Sequence, residues 1–140
     1  MLPRFVHSNN HHLVITDNLQ KTYESYKSND YPSLGLVSGT LRAYSKEGAW
    51  WTNATMLQNG GALAWVMTMI FPIDAPQIYS SVKTTNQYSL LAVNGFYDLW
   101  SLCPSFQQMT IFYNVSETTL RGDYDPKQCY CVLINIIPTS

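Results

Sequence analysis

Residues 88–114 read Y-S-L-L-A-V-N-G-F-Y-D-L-W-S-L-C-P-S-F-Q-Q-M-T-I-F-Y-N, and the punctuation of this stretch decides the fold class. Tyr88 to Val93 is a short apolar run rich in strand-forming side chains. Asn94-Gly95 follows, a pair that tolerates the positive φ of a tight hairpin turn. Phe96 to Cys103 and Gln107 to Asn114 read as two further strands, with Pro104-Ser105 predicted to split them.

Working outward, the same rhythm continues on both sides. Gln77 to Lys83 is a strand candidate. Ala62 to Phe71 is nearly continuous apolar sequence, which predicts a central strand covered on both faces, although its Ala-Leu-Ala start and two Met residues also permit a helix. Asn59-Gly60-Gly61 is a turn signal before it, and Pro72 and Pro76 close it. Ala49 to Leu57 carries Trp50, Trp51, Thr52 and Thr55, and Leu34 to Tyr44 alternates loosely around Gly35 and Gly39. Cys129 to Ile137 forms the last strand, stopped by Pro138. About eight strands at spacings of roughly ten residues predict an all-β, antiparallel β-sandwich or barrel. Residues 1–32 differ: H-S-N-N-H-H from His7 to His12 is polar and turn-like, and Leu13 to Thr16 is one short apolar piece. They read as an extended N-terminal arm or long loop that can include one short strand, leaving 33–140 as the sandwich or barrel domain.

At 140 residues the chain can bury one core without disulfides or metals. Its charge is unusual. Asp, Glu, Lys and Arg make up 12% of the residues, about half of the roughly 25% of typical soluble domains. Ser, Thr, Asn, Gln and Tyr take their place, a mix suited to pleated surfaces and close contacts between neighbours. The net charge is −1 and the eight Lys and Arg residues are scattered, so no basic face for nucleic acid is expected. No apolar stretch reaches the roughly twenty residues of a membrane span. Met1 to Asn10 lacks the apolar core of a signal peptide, so an exported form would have lost its leader.

The sequence offers no catalytic set. The three histidines, His7, His11 and His12, fall in the arm. Their Ser-Asn-Asn surroundings do not favour the helix that would bring His7 and His11 together on a metal, so solvated histidines are expected. There is no G-x-S-x-G, G-x-G-x-x-G or P-loop. Asp123 and Asp125 in R-G-D-Y-D-P lack a full calcium-loop pattern, and Arg121-Gly122-Asp123 within it reads as turn chemistry. The expectation is a non-enzyme without cofactor or metal.

Cys103, Cys129 and Cys131 leave two arrangements open: one bridge between Cys103 and either of the pair, with a thiol left over, or three buried thiols. Asn53-Ala54-Thr55 and Asn114-Val115-Ser116 are sequons that permit glycosylation without arguing for it. The aromatic supply is large, with four Trp and ten Tyr. Trp50 and Trp51, adjacent on a strand, must point to opposite faces. With Tyr124 they are the candidates for an aromatic contact surface. Gly48-Ala49-Trp50 is similar to the G-x-W start of lipocalins, which implies a calycin-like cup for a small ligand as the alternative reading, lined by residues such as Trp65 and Phe71.

From Gly95 the chain runs G-F-Y, Cys103-Pro104, I-F-Y-N-V-S, then Cys129, Cys131 and a closing apolar strand. This last third resembles the C-terminal part of small secreted fungal cell-wall proteins, including the phialide-associated wall protein and the end domain of the internal-repeat wall proteins. The resemblance implies a β domain, a Cys103 bond to Cys129 or Cys131, and a non-enzymatic wall role. Together these readings predict a structural or surface protein acting through self-association or matrix contacts. Two settings fit: an exported, extracellular wall or filament glycoprotein, and a virion capsid or decoration protein. The expected partners are further copies in a homo-oligomer or larger assembly.

Overall fold

A computed structural model describes residues 5–7, 12–16, 33–44, 51–68, 75–105, 108–117 and 124–137. The chain is an all-β sandwich. In order its strands are β1 (Phe5–His7), β2 (His12–Thr16), β3 (Ser33–Val37), β4 (Thr40–Tyr44), β5 (Trp51–Ala54), β6 (Trp65–Thr68), β7 (Tyr79–Val82), β8 (Ser89–Val93), β9 (Trp100–Ser105), β10 (Gln108–Tyr113) and β11 (Tyr130–Ile137). One 3₁₀ turn, Pro126–Gln128, precedes β11.

The smaller sheet has the order β3-β4-β5-β6. The larger runs β1-β2-β11-β8-β7, with the β9–β10 ribbon attached to β11. Every pairing is antiparallel except β2 with β11, which is parallel. β11 is long enough to serve two neighbourhoods. Its Tyr130–Val132 end pairs with β9, and its Leu133–Ile137 end pairs with β2, with Asn135 and Ile136 also meeting β8.

Turn chemistry sets the local register. Ser38 and Gly39 both have positive φ, 49° and 83°, the conformation of a two-residue I′ hairpin, so 33–44 is two strands rather than one. Asn94 and Gly95, at 53° and 84°, make the turn read from the sequence. It returns only as far as a single bridge between Val93 and Phe96 before β9 begins. Pro104 does not split the chain. It sits inside β9 opposite Met109, beyond the Trp100–Leu102 segment that pairs with β11.

The apolar run from Ala62 is divided between two sheets. Leu63 N–H donates to the Ile111 carbonyl and Ala62 bridges Phe112, so this part lines β10. Trp65–Thr68 then pairs with β5 at the end of the smaller sheet, with Val66 41% exposed. The expectation of a central strand at 62–71 is therefore corrected: the apolar residues are needed because the segment crosses from one layer to the other. Among the described residues β8 is buried on both faces, with Leu90, Leu91, Ala92 and Val93 all fully enclosed, and so is the Trp100–Cys103 part of β9.

The main core lies between the layers. Leu41 and Ala54 from the smaller sheet meet Leu91, Val93, Trp100, Leu102, Ile111, Tyr113, Val132 and Ile134 from the larger. Two polar handles bolt it together. Tyr79 Oη donates to the Thr55 carbonyl at 2.6 Å, and Trp100 Nε1 donates to the Leu91 carbonyl at 2.9 Å. Both satisfy groups that would be costly to bury unpaired. Within 1–32, the described pieces β1 and β2 belong to the larger sheet, more strand than the sequence implies. Among the described residues no helix is long and apolar enough to cross a membrane.

Candidate functional site at the disulfide-bonded cap

The β9–β10 ribbon carries buried apolar side chains on its core face and, at Cys103 and Phe112, on its outer face as well. Ile111 and Tyr113 point into the main core, while Phe112 between them must point away from it. Likewise Trp100 and Leu102 face inward and Cys103 outward. The outward set, Cys103 and Phe112, is covered by the segment 124–129, and together with Tyr124 it makes a second buried cluster, flanked by Ala62, Val115 and Cys129.

Three contacts hold this cap. Cys103 is bonded to Cys129, with Cα atoms 4.3 Å apart. The register of β9 with β11 places these residues opposite one another, one step beyond the Leu102–Tyr130 pair. The Tyr124 ring lies 4.1 Å from that of Phe112, centroid to centroid, and its hydroxyl donates to the Gly60 carbonyl at 2.8 Å. The segment folds this way because Asp125 caps the 3₁₀ turn, its Oδ1 accepting from the Lys127 N–H at 3.0 Å, and Pro126 supplies the fixed φ of the first helical position.

Beside the cap, Asn59 and Asn114 join the two turns that flank it. Asn114 Nδ2 donates to Asn59 Oδ1 at 3.0 Å, and Asn114 takes a φ of 49°. Trp100 meets Tyr113 edge to face at 5.6 Å. Burial, with the nearby Asp98 charge adding to it, pushes the Tyr113 phenol above its ordinary range, and burial raises Tyr130 as well. These groups stay neutral around pH 7 and offer no poised acid or base.

The structure brings together Cys103, Cys129 and Tyr124 among the residues singled out from sequence. Of the two cysteine arrangements left open, it selects the bridge, with Cys131 as an exposed free thiol. Tyr124 as an outward contact residue is corrected: it is 8% exposed, because its ring is needed to cover Phe112. Trp50 lies outside the described residues. Trp51 is placed in β5 by its backbone, opposite Tyr44 and Thr68. Asn53 is buried in β5 with Oδ1 accepting from Arg42 Nε at 3.2 Å, a position without room for a glycan, whereas Asn114 is half-buried at a turn. His7 and His12 belong to β1 and β2, strands rather than loop; His11, Phe71, Gly48, Ala49 and Arg121 to Asp123 lie outside the described residues. Sequence reading missed Phe112 and Gly60. The available signal was the unbroken I-F-Y run, whose two parities are both apolar and so call for a cover on each face. Comparison with protein-family models, with curated proteins and with solved structures finds no match to this chain.

Proposed function

We propose that this protein is a non-enzymatic structural or surface component that works through contacts with copies of itself or with a matrix. The observation that carries the reading is the 12% charged content, too low to give a fully hydrated exterior of the kind single soluble domains use. The polar handles of the buried aromatics support it. Tyr79, Trp100 and Tyr124 donate to backbone carbonyls, so they brace the fold instead of pointing at a ligand. The Cys103–Cys129 bond supports an exported, extracellular or cell-surface setting, since disulfides persist in oxidising compartments.

Unreduced intact mass and sedimentation across a concentration series test this. The expected result is one bridge per chain and reversible growth in particle size with concentration. Fully reduced cysteines in natively purified material would move the reading to a virion component. A chain that stays monomeric at millimolar concentration and binds no polymer would overturn it, and tight uptake of an apolar small molecule would favour the calycin-like alternative.

A further inference from the structure

Three cysteines share one face of the β9–β11 ribbon. Tyr130 and Val132 belong with the main core, so the residues between and beside them, Cys129 and Cys131, lie on the opposite, outer side. Cys129 is opposite Cys103 and bonded to it, while Cys131 is opposite Ser101. Cys131 is therefore diagonal to Cys103, one rung along on the same face, and it carries an exposed free thiol. Diagonal neighbours in an antiparallel pair stand about 7–8 Å apart, against the roughly 6.8 Å upper limit for the Cα atoms of a bridge. A movement of about 1 Å closes that gap. Cys103 itself is fully enclosed, so a thiol from solution does not reach its sulfur, whereas Cys131 stands on the same strand face.

We propose that these residues form a thiol–disulfide exchange site, in which Cys131 displaces Cys129 from Cys103. The Cys131 thiolate attacks Sγ of Cys103 and forms a new S–S bond. The electron pair of the Cys103–Cys129 bond leaves with Cys129, which takes up the proton that Cys131 gave away. One bridge and one thiol exist before and after, so no oxidant or reductant is required. The consequence is mechanical. Residues 124–129 are held tightly over Phe112 when the bond ends at Cys129. When it ends at Cys131 the covalent hold on Cys129 is lost, the nearest fixed point becomes Tyr130 in its pairing with Leu102, and the cap then rests on the Tyr124–Gly60 hydrogen bond and its apolar contacts. This exchange is independent of the structural role proposed above and holds equally for a monomer.

The test follows the position of the free thiol. The native chain is incubated without added thiol at pH 6 and at pH 8.5, quenched with acid, labelled with N-ethylmaleimide and cut with chymotrypsin, which separates Cys129 from Cys131 after Tyr130. The expected result is label on Cys131 alone at pH 6 and on both Cys129 and Cys131 after the alkaline incubation. The rate should rise by up to about tenfold per pH unit, as for a reaction carried by a thiolate. Cys131→Ser should abolish labelling of Cys129. Label confined to Cys131 under both conditions overturns the proposal. A second variant, Cys129→Ser treated with oxidised glutathione, should close an intramolecular Cys103–Cys131 bond. Only mixed disulfides or dimers in that variant would show that the diagonal cannot be bridged, and would equally overturn it.

Discussion

The hydroxyl of Tyr124 donates to the carbonyl of Gly60 across a sequence separation of 64 residues, at 2.8 Å and out of contact with water. This bond ties the C-terminal cap to the loop that carries the chain from β5 toward β6. It joins the same Gly60 whose N–H donates to the Tyr113 carbonyl at 2.6 Å. Removing the hydroxyl in Tyr124→Phe keeps the ring on Phe112 and leaves the Gly60 oxygen without that donor. The loss should be about 1 kcal/mol, read as a lower urea midpoint with unchanged slope. An unchanged midpoint would mean that water replaces the phenol and that the cap is open in solution.

Reduction of the Cys103–Cys129 bond should cost more. The bridged residues are 26 apart in sequence, and closing a loop of that length removes roughly 3.5 kcal/mol of unfolded-chain entropy at 25 °C. Unfolding with and without reductant measures the difference. Cys131→Ser should leave the oxidised stability within about 0.5 kcal/mol, since Cys131 is exposed. A reduced form as stable as the oxidised one would show that the cap and not the covalent bond secures this edge.

At high pH the buried phenols become a liability. Burial holds the Tyr79 hydroxyl far above its ordinary ionisation range, and Tyr113 is raised for the same reason with Asp98 adding to it. Below about pH 10 the phenol is protonated in both folded and unfolded chains, so it contributes no pH dependence. Above that the unfolded chain releases its proton while the folded chain keeps it, and stability falls by up to about 1.4 kcal/mol per pH unit for each such group. Tyr79→Phe should flatten this alkaline decline while lowering stability at pH 7 by about 1 kcal/mol, through loss of the bond to Thr55. Denaturant melts at pH 7, 10 and 11 separate the two effects.

Thr52, fully buried in β5, has a hydroxyl that finds no partner among the described residues. A buried hydroxyl left unpaired costs roughly 1–3 kcal/mol. Thr52→Val keeps the branched shape that suits the strand and removes the polar atom, so it should raise the urea midpoint by the equivalent of about 1 kcal/mol. A fall would mean that the hydroxyl is satisfied in solution.

How much of this was legible in the sequence depended on where one periodicity met one environment. The β8 strand and the Asn94-Gly95 turn could be read because apolar run and turn residues abut. The passage 62–68 could not, because one apolar segment serves β10 with Ala62 and Leu63 and then β5 with Trp65 onward. Pattern alone does not say which layer a residue feeds. The cap was hidden for a similar reason: Tyr124 sits in polar turn sequence, and the burial of Phe112 on the outer face, opposite to Ile111 and Tyr113, explains why an aromatic is placed there. The parallel pairing of β2 with β11 joins the two ends of the chain, a long-range choice that local signals do not encode.

Two glycines provide an internal comparison of strain with space. Gly39 and Gly95 have almost the same positive φ, 83° and 84°, so an alanine at either carries the same backbone penalty of about 1 kcal/mol. Their surroundings differ. A Cβ on Gly39 would come within 3.1 Å of Gln77 Cβ and 3.3 Å of its backbone, while one on Gly95 would meet nothing within 4 Å. The Gly39 carbonyl also accepts the Tyr79 N–H at 2.9 Å, which locks the β3–β4 turn onto the start of β7. Backbone crowding there cannot be relieved by a side-chain rotation, so the turn would have to shift and lengthen that bond. Gly95→Ala should therefore cost about 1 kcal/mol and Gly39→Ala about twice as much, with hydrogen exchange at the Tyr79 amide accelerated only in the latter. Equal costs, with the Tyr79 amide equally protected in both variants, would mean that the β3–β4 turn does not rest on Gln77 in solution.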